Sequence, residues 1–149
     1  MRLPALLLAA AAVLLPAGAA SAADHVVKMK NQGADGGFMV FEPAFTQAAP
    51  GDTVTFEPTD PGHNAVSLDG MTPKAAKPFA GQLNEKLTVT LTEPGVYGYQ
   101  CTPHLVMGMV GVVVVGPKPA ANLAEATAAA PSGRAGEVMA GLLKQAGGS

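Results

Sequence analysis

Five short segments rich in β-branched or alternating residues constrain the fold most. Their sequences are HVVKM, TVTFE, KLTVTLT, VYGYQC and MVGVVVV, and all lie between about residues 24 and 116. In KLTVTLT the leucines and the valine alternate with threonines, which predicts a strand with one buried face. The turn formers PGD (50–52) and EPG (93–95) separate the segments at the spacing of a β-sandwich. The pattern therefore predicts an all-β sandwich.

A different texture precedes this region. Residues 1–22 begin with a basic side chain, Arg2, continue as a Leu/Ala-rich run and end in small residues. This is the pattern of a secretory signal peptide, and the mature chain is predicted to begin at Ala23. An uncleaved membrane anchor is the alternative, because the segment is about long enough to span a bilayer. Pro16 and the small residues before Ala23 favour removal.

Another change of texture follows Pro117. The segments ANLAEATAAA and GRAGEVMAGLLKQA have helical patterns on either side of Pro131. Residues 117–149 are therefore predicted to form a two-helix extension that covers one face of a sheet, and a frayed segment is the alternative. Without the signal peptide, the mature chain has about 127 residues, a length that suits one domain. Its charge is sparse and the whole chain has a net charge of −2, which gives no indication of nucleic-acid binding.

The motif CTPHLVMGM, residues 101–109, contains the one cysteine of the chain. Export places a protein where cysteines pair as disulfides, so an odd cysteine needs another explanation. Cys101, His104 and Met109 supply a thiol, an imidazole and a thioether. Two His, one Cys and a weak axial Met are the ligands of copper electron-transfer sites. The second histidine is predicted to be His63, in a turn entering a strand, rather than His25, near the mature N-terminus where chains are usually loose.

Each donor also has a simpler interpretation. Cys101 alone could be an inert buried side chain, and Met107 and Met109 could fill the core. A cysteine nucleophile with a histidine base is a further alternative, although such pairs usually come from distant parts of a sequence. Zinc is possible with one Cys and two His, but a thioether is a poor fourth ligand for it. Copper accounts for the four donors together.

The segments GDTVTFEPTDPGHNAV, PGVYGYQCTPHLVMGMVGVVVVG and GFMVFEP resemble the cupredoxin family of type 1 blue copper proteins over nearly the whole mature chain. The spacing Cys-x₂-His-x₄-Met is shared with plastocyanin and is longer than the amicyanin loop, and both of those relatives lack the two-helix tail. The resemblance implies a Greek-key β-sandwich of about eight strands in residues 23–116. It also implies one type 1 copper bound by four residues: His63, Cys101, His104 and Met109.

The resemblance assigns supporting roles around that site. Asn64 is expected near the cysteine sulfur, where hydrogen bonds tune the reduction potential. Pro103 is expected to stiffen the ligand loop, and Met39 to lie in its apolar surroundings. Four protein ligands leave no position for a substrate, so the expected function is one-electron transfer and not catalysis. A copper carrier or storage protein is the alternative, although such proteins commonly use exposed Met or Cys clusters.

Partner docking is expected at the copper end. Related proteins carry lysines there, but this chain has no basic residue at the corresponding positions. The resemblance places those positions at Gln32, Pro61, Ala80 and Gln100. Lys74 and Lys77 are expected to retain part of a positive rim, and an apolar rim of Met39, Pro103, Leu105, Val106 and Met107 predicts hydrophobic docking. The implied partners are a copper nitrite reductase, a nitrous oxide reductase, an amine dehydrogenase or a cytochrome. The protein is expected to be a periplasmic monomer that binds neither nucleic acid nor, once mature, a membrane.

Overall fold

The structure is a computed structural model, and it describes residues 21–148. The predicted signal peptide lies outside the described residues except for its last two positions. Within these residues, eight strands, a 3₁₀-helix and two α-helices follow one another. They are β1 (Asp24–Gln32), β2 (Phe38–Glu42), β3 (Phe45–Ala48), β4 (Asp52–Pro58), β5 (Val66–Ser67), β6 (Leu87–Leu91), β7 (Gly95–Gln100), the 3₁₀-helix (Thr102–Met107), β8 (Val110–Val115), α1 (Leu123–Ala128) and α2 (Gly133–Ala146).

The strands form two four-stranded sheets. The strand order is β2-β1-β4-β6 in one sheet and β3-β8-β7-β5 in the other. Two of the pairings are parallel, β1 with β4 and β3 with β8, and the other pairings are antiparallel. The predicted sandwich of about eight strands is confirmed. The strands that were not among the five segments of the sequence analysis are β2, β3 and β5, which have five, four and two residues.

An aromatic cluster fills the space between the sheets. The Tyr99 ring lies edge-on to Phe41 and Phe56, with ring centroids 4.8 and 4.9 Å apart. Gly111 is opposite Tyr99 in the β7–β8 ladder, and a side chain there would collide with the ring. In β6, Leu91 is buried whereas Thr88 and Thr90 are exposed, as the alternation of KLTVTLT predicts.

The sheet that contains β8 is buried on both faces. All six residues of β8 are buried, with Val113 and Val115 in the sandwich core. Val110, Val112 and Val114 pack instead in a second cluster with α2. Helix α2 therefore lies against one face of this sheet, and the predicted two-helix tail is confirmed. Within residues 21–148, no helix is long and apolar enough to cross a membrane.

The side chain of Asn122 anchors the helical extension to the sandwich. Its amide oxygen accepts a hydrogen bond from the Val96 backbone N–H at 2.7 Å, and its amide nitrogen donates to the Val96 carbonyl at 3.1 Å. The side chain thus pairs with β7 as another strand would. The following helix α1 begins one residue later, so its position over the sheet is fixed at its start.

The two buried tyrosines of β7 are expected to respond differently to loss of the hydroxyl. The Tyr97 hydroxyl donates to the Glu93 carbonyl at 2.8 Å and closes the turn before β7. Tyr97→Phe should therefore reduce the free energy of unfolding by about 1 kcal/mol. The buried Tyr99 hydroxyl has no partner among the described residues, so Tyr99→Phe should leave stability unchanged or raise it. Urea unfolding of both variants measures the difference, and equal losses would contradict it.

Candidate metal centre

The loop between β7 and β8 holds three of the four predicted donors in a narrow turn. Cys101 follows β7, and its backbone N–H donates to the carbonyl of Met109 at 3.0 Å. Met109 is buried, and its own N–H donates to the carbonyl of His104 at 3.2 Å. Pro103 lies in the first turn of the 3₁₀-helix, and Gly108 follows its last residue in the left-handed region with φ 89°. The backbone therefore fixes where each donor residue lies before any metal binds.

His63 reaches the same point from the loop between β4 and β5. Its Nδ1 lies 3.7 Å from the Sγ of Cys101 and 3.2 Å from the Nδ1 of His104. The sulfur of Cys101 is 3.4 Å from the Nδ1 of His104. His63 and Cys101 are completely buried, and His104 is half-buried. The structure therefore brings together His63, Cys101 and His104, which the sequence predicted as donors. It places His25 elsewhere.

The size of this donor triangle fits a metal ion. The point equidistant from the three atoms lies about 2.0 Å from each, as the three sides of the triangle require. Metal–imidazole bonds of first-row ions have that length, and metal–thiolate bonds are about 0.3 Å longer. A small movement of the cysteine side chain would complete the fit. Thiolate and imidazole are the donors that copper prefers in electron-transfer sites.

Burial makes the site costly for charged donors in the absence of a cation. It raises the pKa of the Cys101 thiol, and the backbone N–H groups of Asn64 and His104 lower it by less. It also lowers the pKa of His63, with a further contribution from the charge of His104. The neutral imidazole is the form that binds a metal. A bound cation would provide the positive charge that stabilises the thiolate.

Two asparagines hold the donors in place. Asn31 Oδ1 accepts a hydrogen bond from the Nε2–H of His63 at 3.0 Å, so Nδ1 remains free to bind. Asn64 Oδ1 accepts from the backbone N–H of Thr102 at 2.8 Å, and its Nδ2 donates to the Thr102 hydroxyl at 3.2 Å. Asn64 therefore ties the His63 segment to the cysteine loop. The sequence predicts a role for Asn64 but not for Asn31, which lies 32 residues from His63 and outside any local motif.

The surface beside His104 is apolar and exposed. Val106 is 84% exposed and Met107 47%, and Pro103 is exposed as well. Phe38 is 66% exposed and lines one surface depression with Met39 and Met107. Phe38, which directly follows two glycines of the β1–β2 turn, was not among the residues predicted from the sequence.

Two predicted rim residues are less accessible than expected. Leu105 is half-buried and packs against the cluster under the helices, because the 3₁₀-helix turns it towards α2. Met39 is half-buried against the sandwich core.

The lysines that were predicted for the rim of the copper end, Lys74 and Lys77, lie in different parts of the molecule. Lys74 lies beside Pro94 and α1, near the start of β7. Cys101 follows the other end of this six-residue strand, about 20 Å away at ~3.3 Å per residue. The structure therefore does not bring Lys74 to the site. Lys77 is exposed in the segment that leads to Phe79, whose ring stacks on Phe56.

Comparison with known proteins supports the same kind of site. Residues 27–116 match the copper binding proteins of the plastocyanin/azurin family. The pseudoazurin of Paracoccus pantotrophus is 50% identical over 111 residues, which are 74% of this chain and 76% of that protein. The crystal structure of pseudoazurin from Methylobacterium extorquens AM1 superposes with a TM-score of 0.77 at 38% identity, covering 82% of this chain and 98% of that one. Native pseudoazurin from Hyphomicrobium denitrificans gives 0.77 at 36% identity, with coverages of 82% and 97%.

The two-sheet sandwich and its Cys/His cluster define a cupredoxin, and the chain belongs to the plastocyanin/azurin family of copper-binding proteins. Within that family it groups with the pseudoazurins, which match both the sandwich and the length of the chain. The cofactor of the site is therefore copper.

Removal of the Asn31 side chain should weaken copper binding while the fold persists. Asn31→Leu leaves the Nε2–H of His63 without its acceptor, so the imidazole is less well oriented. Loss of such a partner typically lowers metal affinity by roughly 10–100-fold. Gln32→Leu is the matched control, since Gln32 is the next residue, is exposed and makes no side-chain hydrogen bond within residues 21–148. Competition with a copper chelator measures both affinities, and equal values for the two variants would contradict the role of Asn31.

Proposed function

We propose that this protein is a one-electron carrier of the periplasm in which His63, Cys101, His104 and Met109 bind a single type 1 copper. The observation that carries the proposal is the convergence of one thiol and two imidazoles, whose donor atoms lie within 3.7 Å of one another. Met109, at the end of the same loop as Cys101 and His104, is buried. The predicted signal peptide and the family support the location. Four protein donors leave no place for a substrate, which argues against an enzyme.

Copper, when bound, supplies a one-electron couple between Cu(II) and Cu(I). The protein keeps the donors in one arrangement by means of the asparagine contacts and the hydrogen bonds inside the cysteine loop. Small rearrangement between oxidation states favours fast transfer. The half-buried His104 lies beside the exposed Pro103 and Val106, so electrons are proposed to enter and leave through this imidazole.

Met109 is proposed as the fourth residue that would hold a bound copper, as the weakest of the donors. Met109→Leu should keep the blue or green colour, because the thiolate and both imidazoles remain. It should raise the reduction potential, since loss of a weak donor to Cu(II) destabilises the oxidised form. Cyclic voltammetry of the two proteins measures the shift, and an unchanged potential would remove Met109 from the ligand set.

Partner docking is proposed at the exposed apolar surface formed by Phe38, Pro103, Val106 and Met107. The centre of a protein interface is depleted of charge and excludes water, which fits this composition. The proposed partner is a redox enzyme, such as a copper nitrite reductase, a nitrous oxide reductase or an amine dehydrogenase, or a cytochrome, and it would be met by a monomer in a short-lived complex.

A copper carrier or storage protein remains the second candidate, and copper exchange separates the two. An electron carrier should retain one copper per chain through repeated cycles of ascorbate reduction and ferricyanide oxidation. A Cu(I) chelator in moderate excess should remove that copper slowly, because the cysteine is buried and the donors come from separate loops. Rapid transfer of Cu(I) to the chelator at neutral pH would favour the carrier candidate.

A further inference from the structure

The start of β4 contains a buried carboxylate with several donors around it. Asp52 Oδ2 accepts hydrogen bonds from His25 Nε2 at 2.8 Å and from the Ala49 backbone N–H at 2.9 Å. Its Oδ1 accepts from the backbone nitrogen of Ala23 at 2.9 Å. The Asp52 side chain is only 10% exposed. These contacts, with His25 first, lower its pKa to about 2, so the carboxylate is charged at neutral pH.

Parallel pairing explains why these groups meet. The strands β1 and β4 run side by side in the same direction, so their first residues lie at the same edge of the sheet. The N–H of Thr53 donates to the carbonyl of Ala23 at 2.9 Å, which holds Ala23 against β4. Ser21, Ala22 and Ala23 are all exposed. Ala23 is therefore hydrogen-bonded to the sheet, and it directly follows the small residues that end the predicted signal peptide.

We propose that the chain is processed between Ala22 and Ala23 and that the new α-ammonium group of Ala23 forms an ion pair with Asp52, in a cluster that also contains His25. Hydrolysis of this peptide bond by a signal peptidase adds one water, whose oxygen goes to the carboxyl group of Ala22. In the precursor, the Ala23 nitrogen is a neutral amide with a single proton. After cleavage it is a cation in contact with a buried carboxylate.

The cluster has favourable conditions for an ion pair. An α-amino group has an ordinary pKa of about 7.7–8.0, so most of it is charged at neutral pH. A hydrogen bond between two charged groups is roughly twice as strong as one between neutral groups. Because Ala23 is exposed, the protons that do not face Asp52 stay in contact with solvent. The ion pair thus forms with little loss of hydration by the ammonium group.

The consequence is that processing stabilises the sheet at its centre. Both β1 and β4 are interior strands in the order β2-β1-β4-β6. The carboxylate joins their first residues, so a stronger contact there opposes separation of the pair. The mature protein should be more stable than a chain whose Ala23 nitrogen carries no charge.

The test begins with the full-length chain, exported from a bacterial host with its own leader. The intact mass of the purified protein should correspond to a chain that starts at Ala23. The α-amine is then converted to a ketone by transamination with pyridoxal 5′-phosphate, which removes the charged nitrogen and its hydrogen bond to Asp52 without lengthening the chain. The melting temperature of the modified protein should fall by more than about 2 °C.

The same treatment of Asp52→Asn is the matched control, because asparagine keeps the shape of the side chain and removes its charge. Transamination should change the melting temperature of that variant much less. His25→Gln, which keeps Asp52 and loses the imidazole, should retain the full effect of transamination. An intact mass that corresponds to a different first residue would overturn the proposal. So would an equal change of melting temperature on transamination in the unmodified sequence and in Asp52→Asn.

Discussion

Cys101→Ala is expected to abolish the coloured copper centre completely. The chain contains no second cysteine, so no other thiolate can replace the ligand. The intense visible band of a type 1 site comes from charge transfer between thiolate and Cu(II). The fold should survive, because the sandwich core and the helical cover are built from apolar side chains that do not depend on the metal. Visible absorption and far-ultraviolet circular dichroism of the copper-treated variant measure the two outcomes.

Met107→Leu is the control for this experiment, since it removes another sulfur from the same loop. Met107 is 47% exposed, whereas Met109 is buried. The band should therefore be unchanged in Met107→Leu. An intense blue or green band in Cys101→Ala would show that the ligand assignment is wrong.

Val106→Glu should slow electron transfer with the physiological partner by roughly tenfold or more. Val106 is 84% exposed beside His104, so a carboxylate there causes no strain in the free protein. In the complex, that charge would have to lose its water at the centre of an apolar contact. Stopped-flow measurement of the second-order rate tests the effect.

Val26→Glu is the matched control, because Val26 is 44% exposed on β1 and outside the docking surface. It should have the rate of the unmodified protein. Leu105, which the sequence predicted to lie in the same apolar rim, is half-buried against the helical cluster. A charge at that position would disturb packing as well as docking.

The ionic-strength dependence of the same rate gives a second test of docking. Residues 23–116 contain five lysines and nine acidic residues, and Lys74 is placed away from the site. Steering by lysines would weaken steeply as the Debye length falls to ~10 Å at 0.1 M salt. The rate should instead change no more than a few-fold. A tenfold loss with added salt, together with a normal rate for Val106→Glu, would show that charge controls docking.

Local sequence patterns predicted the elements in which a regular alternation or helical spacing continues over several residues. The alternation in KLTVTLT predicted the half-buried β6, and the helical spacing after Ser132 predicted α2 with its observed bounds. The two-residue β5 has too little sequence for any period to show. The donors of one loop were predictable because the chain itself brings Cys101 and His104 together.

Contacts between distant segments were harder to predict. His63 could be selected because histidine is rare in this chain and the donor set required another imidazole. Asn31 could not, because asparagine is common in turns and nothing local relates it to His63. The accessibility of Leu105 depended on how the 3₁₀-helix faces α2, and that direction is set by tertiary packing.

A redox titration followed by visible absorption tests the central claim most directly. The protein loaded with one copper per chain should show an intense thiolate-to-Cu(II) band that bleaches and returns along one curve for a single electron, with the copper content unchanged at the end. Absence of the band from the oxidised protein, or loss of copper in the first reduction, would contradict the assignment of a type 1 copper electron carrier.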